Sequence, residues 1–150
     1  MSSWKQYIIV NKGVGMSPGK LAAQVSHASM AFLTNKMRQN ACVVETGLDF
    51  QPVEMAHYEF MLPLDMHEGW IEGIFTKVIL EAKNEARMVR LVEDLVAAGM
   101  VEGKDFFRVI DSGLTEFDGV KTWTCIGLRP IDTDVETEVA QRLRKLQLLH

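Results

Sequence analysis

Three polar side chains between Lys20 and His27 have the spacing of one helix face. Lys20, Gln24 and His27 follow one another at intervals of four and three residues, which places them in one row along an α-helix. A cation, an amide and an imidazole in such a row predict the polar wall of a cleft. The alternative is an ordinary solvated helix edge, on which His27 bonds to a neighbouring residue.

The segment just before this row has the character of an anion-binding loop. Ser17 and Pro18 are residue types favoured at the N-cap and at the first position of a helix. Backbone N–H groups and the positive end of the helix dipole would then face the same space as Lys20. We therefore expect an anion-sized site at this helix start, with Gly19 and Lys20 beside it.

The two common nucleotide-binding loops do not fit this segment. A P-loop needs glycine at position 14 and serine or threonine at position 21, but Val14 and Leu21 stand there. The dinucleotide-binding pattern needs a third glycine where Pro18 lies. The sequence thus argues against an NTPase and against a nicotinamide-dependent enzyme.

Asp111 is the second candidate for chemistry. It stands at the end of a predicted strand and is followed by Ser112, Gly113 and Thr115, which are turn-forming or hydroxyl residues. Turns that a rigid sheet holds in place often carry function. The alternative is a structural Asx turn, in which the carboxylate bonds its own backbone. Spacing alone does not bring Asp111 to Lys20.

Alternating strands and helices must position these residues. Strands are predicted at 6–11, 76–83, 106–110 and 121–128, and helices at 18–38, between Asn84 and Gly99, and from Thr133 onward. The apolar face of the first helix is formed by Leu21, Val25, Ala28 and Phe32. This order predicts an α/β fold with helices on both faces of a small mixed sheet.

Two further segments carry local predictions. Thr133 to Glu136 has the form of a capping box, and the helix that it starts is expected to bury Val135, Val139, Leu143 and Leu146. Residues 37–69 follow neither helical nor strand periodicity, and Pro52 and Pro63 interrupt them. We interpret 37–69 as a long connection with one short helix near 67–72.

Composition and charge narrow the class of protein. The 150 residues are enough for one domain, predicted over 1–150, and 47% of them are hydrophobic. Cys42 and Cys125 match no metal or redox spacing, so free thiols are expected. We see no signal peptide and no apolar run of membrane-spanning length, which predicts a cytoplasmic protein without membrane contact. A net charge of −4 argues against an extended grip on nucleic acid.

Two motifs resemble those of the type 2 peptidyl-tRNA hydrolases. The stretch Gly19-Lys20-Leu21-Ala22-Ala23-Gln24-Val25-Ser26-His27-Ala28 is similar to the family pattern Gly-Lys-x-Ala-Ala-Gln-x-x-His-Ala. The stretch Asp111-Ser112-Gly113-Leu114-Thr115-Glu116 resembles Asp-Ala-Gly-Arg-Thr-Gln. The resemblance covers about residues 5–36 and 70–149, and it leaves 37–69 as a longer connection.

The resemblance implies a three-layer α/β/α fold around a four-stranded mixed sheet. It also implies hydrolysis, without metal or other cofactor, of the ester that joins a peptide to the 3′ ribose of tRNA. By position, Lys20, Asp111 and Thr115 would be catalytic. The substrate-binding residues would be Gly19, Gln24, His27 and Gly113. The implied partner is peptidyl-tRNA, held by its acceptor stem and 3′ end, and a homodimer is left open.

The second motif departs from the family pattern at two positions. Leu114 stands where the pattern has arginine, and Glu116 where it has glutamine. Together these changes make the site more negative by about two charges where a polyanion would bind. Two other hypotheses therefore stand beside the hydrolase: a non-hydrolytic member that binds a small molecule or a protein, and an esterase or amidase for a smaller acyl substrate.

Overall fold

The computed structural model describes residues 3–47 and 52–150. The strands are β1 Trp4–Asn11, β2 Ala41–Thr46, β3 Val53–Tyr58, β4 Lys77–Ala82, β5 Phe106–Asp111, β6 Thr122–Leu128, β7 Ile131–Asp132 and β8 Gln147–Leu148. The helices are α1 Pro18–Gln39, α2 Leu64–Met66, α3 Glu85–Ala97 and α4 Thr137–Leu143. Short 3₁₀ turns occur at Lys12–Val14 and Phe117–Gly119, and a π-helical turn, His67–Ile71, continues α2.

The central sheet is mixed, as the sequence predicts. Its order is β5-β6-β1-β4-β8, and β7 pairs with the start of β1. β1 and β4 run parallel, whereas β6 is antiparallel to both β1 and β5. The four long strands are the predicted ones, and the two-residue strands β7 and β8 extend the sheet. Because of these directions, β1, β4 and β5 all end at one edge, called here the carboxyl edge.

Helices cover both faces of the sheet, which confirms the α/β prediction. Ile8 and Val10 of β1 lie in one apolar cluster with Ala28 of α1. Tyr7 and Ile9, which alternate with them along the strand, lie in the opposite cluster, whose helical members are Met88, Leu91, Leu95, Val139 and Leu143. Since successive strand residues point to opposite faces, one run of β-branched and aromatic residues serves both layers.

The two longer helices begin where their capping residues predict. The Ser17 hydroxyl accepts a hydrogen bond from Lys20 N, and Pro18 takes the first position of α1. The Asn84 side chain accepts from Arg87 N at the start of α3. Gly99 follows the end of α3 with φ of +91°, a conformation that glycine adopts without steric cost.

The prediction for the last helix was wrong at its start. α4 begins at Thr137, and Val135, expected to be buried, is 75% exposed. The supposed capping pair has other partners: the Thr133 hydroxyl donates to Ser3 O at 2.9 Å, and the Glu136 carboxylate accepts from Arg129 Nη2 at 2.6 Å. These tertiary bonds hold the segment in turns, so a local capping pattern does not set the helix boundary.

The connection over 37–69 is more ordered than its sequence pattern indicates. β2 and β3 form an antiparallel hairpin apart from the central sheet, and every residue of both strands is exposed. Period-2 alternation arises when one face of a strand is buried, so a hairpin with two exposed faces lacks it. Residues 48–51 of this connection lie outside the described residues.

The short helix predicted near 67–72 is present, although it starts three residues earlier, at Leu64. Its Trp70 is 1% exposed and meets Phe32 of α1 edge to face, with ring centroids 6.0 Å apart. The indole N–H donates to Thr76 O at 2.9 Å. Trp70 therefore fastens this connection to the second half of α1.

Neither a membrane-spanning helix nor a disulfide is found among the residues that the structure describes. No helix among the described residues is long and apolar enough to cross a membrane. Both cysteines are free, Cys42 at the surface and Cys125 inside, where burial raises the pKa of the thiol to about 12.

The packing of α1 on β6 depends on one glycine. An ideal Cβ at Gly127 would overlap the backbone carbonyl of Ala28, so we expect Gly127→Ala to push α1 away from the sheet. Overpacking of this kind destabilises by about 1–3 kcal/mol, and thermal unfolding measures it. Gly19→Ala is the control, because a Cβ there meets nothing within 4 Å. Equal melting temperatures for the two variants would contradict this account of the helix–sheet contact.

Candidate active site

Lys20 and Asp111 meet at the carboxyl edge. Lys20 Nζ lies 2.7 Å from Asp111 Oδ1, and the two side chains are only 11% and 12% exposed. Lys20 comes from the first turn of α1 and Asp111 is the last residue of β5. The structure thus brings together two residues that are 91 positions apart in the chain.

The buried side-chain amide of Gln24 holds Asp111 in place. Gln24 is 3% exposed, its Nε2 donates to Asp111 Oδ1 at 3.2 Å, and its Oε1 accepts from the Thr124 hydroxyl at 2.6 Å. The ionised carboxylate only accepts hydrogen bonds, so the amide N–H of Gln24 faces Asp111 and the amide oxygen faces the Thr124 hydroxyl. Sequence reasoning missed Thr124, whose only signal is a hydroxyl between the apolar residues Trp123 and Cys125 of β6.

The turn after β5 is an Asx turn as well as part of the ion pair. Gly113 N donates to Asp111 Oδ2 at 2.8 Å, so the Asx turn is present and the same carboxylate also pairs with Lys20. Gly113 has φ of +80°, and a Cβ there would overlap Val120 O. Glycine is therefore required by the backbone of the turn, and its N–H serves the carboxylate.

These donors keep Asp111 ionised. The Lys20 ammonium, which bonds to it, is the main reason that the pKa of Asp111 lies below its ordinary value of 3.8. The Gly113 N–H, the charge of Lys20 and the Gln24 amide act in the same direction, whereas desolvation opposes them. A carboxylate with three donors and a lowered pKa is a weak base and a firm acceptor.

Thr115 is a second hydrogen-bond partner of the Lys20 ammonium, beside Asp111. Lys20 Nζ donates to Thr115 Oγ1 at 3.0 Å, so the hydroxyl proton of Thr115 is directed elsewhere. An ammonium has three protons, and Asp111 and Thr115 take two of them. Phe117 covers the ammonium from 5.7 Å with its ring. The third ammonium proton and the Thr115 hydroxyl are thus donors available to a bound oxygen.

The helix start itself is occupied by the protein's own acid. The Glu116 carboxylate accepts a hydrogen bond from the Ser17 hydroxyl and another from Ser17 N, at 3.3 Å for the latter. The expected anion-sized space at the N-terminus of α1 is therefore filled in part by Glu116. The departure from the family glutamine has a structural role, because this contact ties the β5–β6 loop to α1.

Two other predicted site residues are exposed. His27 lines a groove of about 480 Å³ between α1 and β5, together with Gln24 and Asp111. The space around Gly19 is open, since a Cβ there would meet nothing within 4 Å. A ligand can thus approach the ion pair along α1 from either side of Lys20.

The sequence is similar to that of known proteins. The sequence matches the model of the family described as peptidyl-tRNA hydrolase PTH2 over residues 4–149. It is also 34% identical over 128 residues to a protein of Methanopyrus kandleri named peptidyl-tRNA hydrolase, a match that covers 85% of this chain and 84% of that protein. The chain belongs to the peptidyl-tRNA hydrolase PTH2 family.

Membership of the PTH2 family decides among the three functional hypotheses. The activity is hydrolysis of the ester bond between peptide and tRNA. The family match also includes residues 37–69, so the hairpin lies within it. Among residues 3–47 and 52–150, no three histidine, cysteine, aspartate or glutamate side chains are grouped so as to hold a metal ion.

The ion pair should make the stability of the protein sensitive to acid. The pKa of Asp111 is lower in the folded protein than in the unfolded chain, so its contribution is complete above pH 3.8 and is lost as the pH falls through the folded value. Asp111→Asn should thus be less stable than the wild type at pH 7, and the difference should shrink below pH 4. Urea unfolding at stepped pH measures it. A difference that is constant with pH would contradict this assignment.

Proposed function

We propose that Lys20, Asp111 and Thr115 carry out the hydrolysis of peptidyl-tRNA. The observation that supports this proposal is the Lys20–Asp111 contact of 2.7 Å, with Thr115 3.0 Å from the same ammonium. Such a cluster offers one carboxylate to hold a water and two donors to hold an oxyanion. Ester hydrolysis needs these two elements at one carbonyl group.

The reaction proceeds by addition of water to the ester carbonyl. The water oxygen bonds to the carbonyl carbon, and the negative charge that develops on the carbonyl oxygen is stabilised by the third ammonium proton of Lys20 and the Thr115 hydroxyl. The bond between the carbonyl carbon and the 3′ ribose oxygen then breaks. That oxygen takes a proton to become the free 3′ hydroxyl, and the peptide leaves as a carboxylate with release of one proton.

Asp111 acts in this scheme by orientation. The same three donors that lower its pKa make it a poor proton abstractor, but each carboxylate oxygen has two acceptor sites. Oδ2 bonds only Gly113 N among the described residues, so its second site can accept a proton of the attacking water. Asp111 also fixes the Lys20 ammonium at the carbonyl, where a single oxyanion donor contributes about 10²–10³ in rate.

The substrate would bind around this cluster with its 3′ end at Lys20. The groove along α1, with His27 as a donor, is open to one side of the ester, and the acceptor stem would lie beyond the carboxyl edge. We place the enzyme in the cytoplasm, as one unit over the whole chain. A homodimer remains a prediction that sedimentation would test.

Asp111→Asn tests the catalytic role most simply. Asparagine has one acceptor oxygen where aspartate has two. Its amide N–H group must therefore face another donor, either Gly113 N or the donors of Lys20 and Gln24, and the hydrogen bonds on that side are lost. We expect turnover to fall by about 10²–10³ with little change in KM, because asparagine no longer holds the Lys20 ammonium and the attacking water at the carbonyl. Steady-state hydrolysis of peptidyl-tRNA measures both constants.

Asp118→Asn is the matched control, since Asp118 is exposed in the same loop and its φ of +51° suits asparagine. It should keep wild-type turnover. An Asp111→Asn protein with near-normal turnover would remove Asp111 from the mechanism and leave Lys20 without its partner.

A further inference from the structure

Five basic residues lie close together on the carboxyl edge, outside the cluster just described. Two neighbouring cavities of about 370 and 310 Å³ share Lys83 and Arg87 in their walls. Lys12 and Lys145 also line the first cavity, and Arg90 the second. We call these five residues the carboxyl-edge patch.

Most of the positive charge of the patch is not neutralised by carboxylates. Arg108, Arg129 and Arg142 elsewhere each bond one or two carboxylates. Within the described residues, the patch contains one ion pair, between Lys12 and Glu81 at 3.0 Å, and the Lys12 side chain remains 50% exposed. Glu81 is the one carboxylate lining the two cavities. A cluster of cations is thus maintained in a protein whose net charge is −4.

The position of the patch relates it to the site. Lys12 directly follows β1, Lys83 directly follows β4, and Lys145 stands two residues before β8. The turn Lys12–Val14 packs on the start of α3, where a Cβ at Gly13 would lie 3.1 Å from Lys83 O. The same turn leads through three residues into α1, whose third residue is Lys20. Two interstrand spacings of about 4.8 Å separate β5 from β1, and three separate it from β4, so the patch lies roughly 10 to 14 Å from Asp111.

We propose that the carboxyl-edge patch binds the phosphate backbone of the tRNA acceptor stem while the 3′ ester lies at Lys20. The inference rests on the proposed function. Two features of the site support the inference. Glu116 fills the start of α1, and the exposed Leu114 carries no charge, so neither position offers a cation to phosphate. We therefore expect phosphate to be bound by a surface farther along the same edge.

The chemistry of the patch fits the backbone of an RNA duplex. Proteins recognise such a duplex mainly through its phosphates and 2′ hydroxyls, because its deep groove is closed to side chains. Exposed lysine and arginine side chains without acidic partners bind phosphates and release counterions. No aromatic side chain lines either cavity, so stacking on unpaired bases is not what this surface offers.

The test is the variant Lys83→Gln with Arg87→Gln, assayed on peptidyl-tRNA between 50 and 200 mM salt at constant magnesium. Loss of two phosphate contacts lowers the salt slope by about 1.8. Over this fourfold range of salt, the wild-type KM should thus rise about tenfold more than that of the variant. Turnover at saturation should be unchanged, since neither residue touches the ion pair. Lys83 is exposed and Arg87 is half-buried, and equal thermal unfolding of the variant and the wild type verifies the fold.

The control is Lys36→Gln with Lys104→Gln, which removes the same charge from a cavity at the opposite edge of the sheet. It should keep the wild-type salt slope. A second substrate, the peptidyl ester of a short 3′ oligonucleotide without the stem, should be cleaved equally by all three proteins. Equal salt slopes for the patch variant and the wild type would overturn the patch while leaving the hydrolase intact. A wild type that cleaves neither substrate would instead refute the proposed function.

Discussion

The site depends on one partly buried ion pair. The side chains of Lys20 and Asp111 are 11% and 12% exposed, and charges that are partly removed from water are stabilised where the protein supplies their hydrogen bonds. The carboxylate meets this requirement with the Lys20 ammonium, the Gln24 amide and the Gly113 N–H. The directions of the strands supply these partners, because β5 delivers Asp111 to the edge at which α1 begins.

The same requirement explains the packing around the pair. Gln24 can reach Asp111 because α1 lies close on β6, where Gly127 admits the backbone of Ala28. The β5–β6 loop is held against α1 by Glu116 on Ser17, which fixes Thr115 and Phe117 above the ammonium. The Glu116 carboxylate thus holds the loop in place, but it also occupies the helix start at which an anion could bind. Basic residues without acidic partners lie farther along the same edge, in the carboxyl-edge patch.

The sequence predicts those parts of the structure that leave a local signal. The four long strands and the helices α1 and α3 are predicted to within a few residues, as are the caps at Ser17 and Asn84. The hairpin has no period-2 alternation because neither of its faces is buried. The start of α4 depends on Ser3, which is far away in sequence, and on Arg129, which lies outside the capping motif. The Lys20, Gln24 and His27 row divides in the structure: two members support Asp111 and the third faces solvent. Glu116 and Thr124 could not be assigned, since their partners become neighbours only in the fold.

The central claim is that Lys20 and Asp111 act as one unit on the ester. A double-mutant cycle on the turnover of peptidyl-tRNA, with Lys20→Ala, Asp111→Ala and both together, tests it directly. Residues that act as a unit have strongly non-additive effects, so the double variant should be about as slow as the slower single variant. Rate losses that multiply, with each residue contributing its full effect in the absence of the other, would show that the two act independently and would contradict the account.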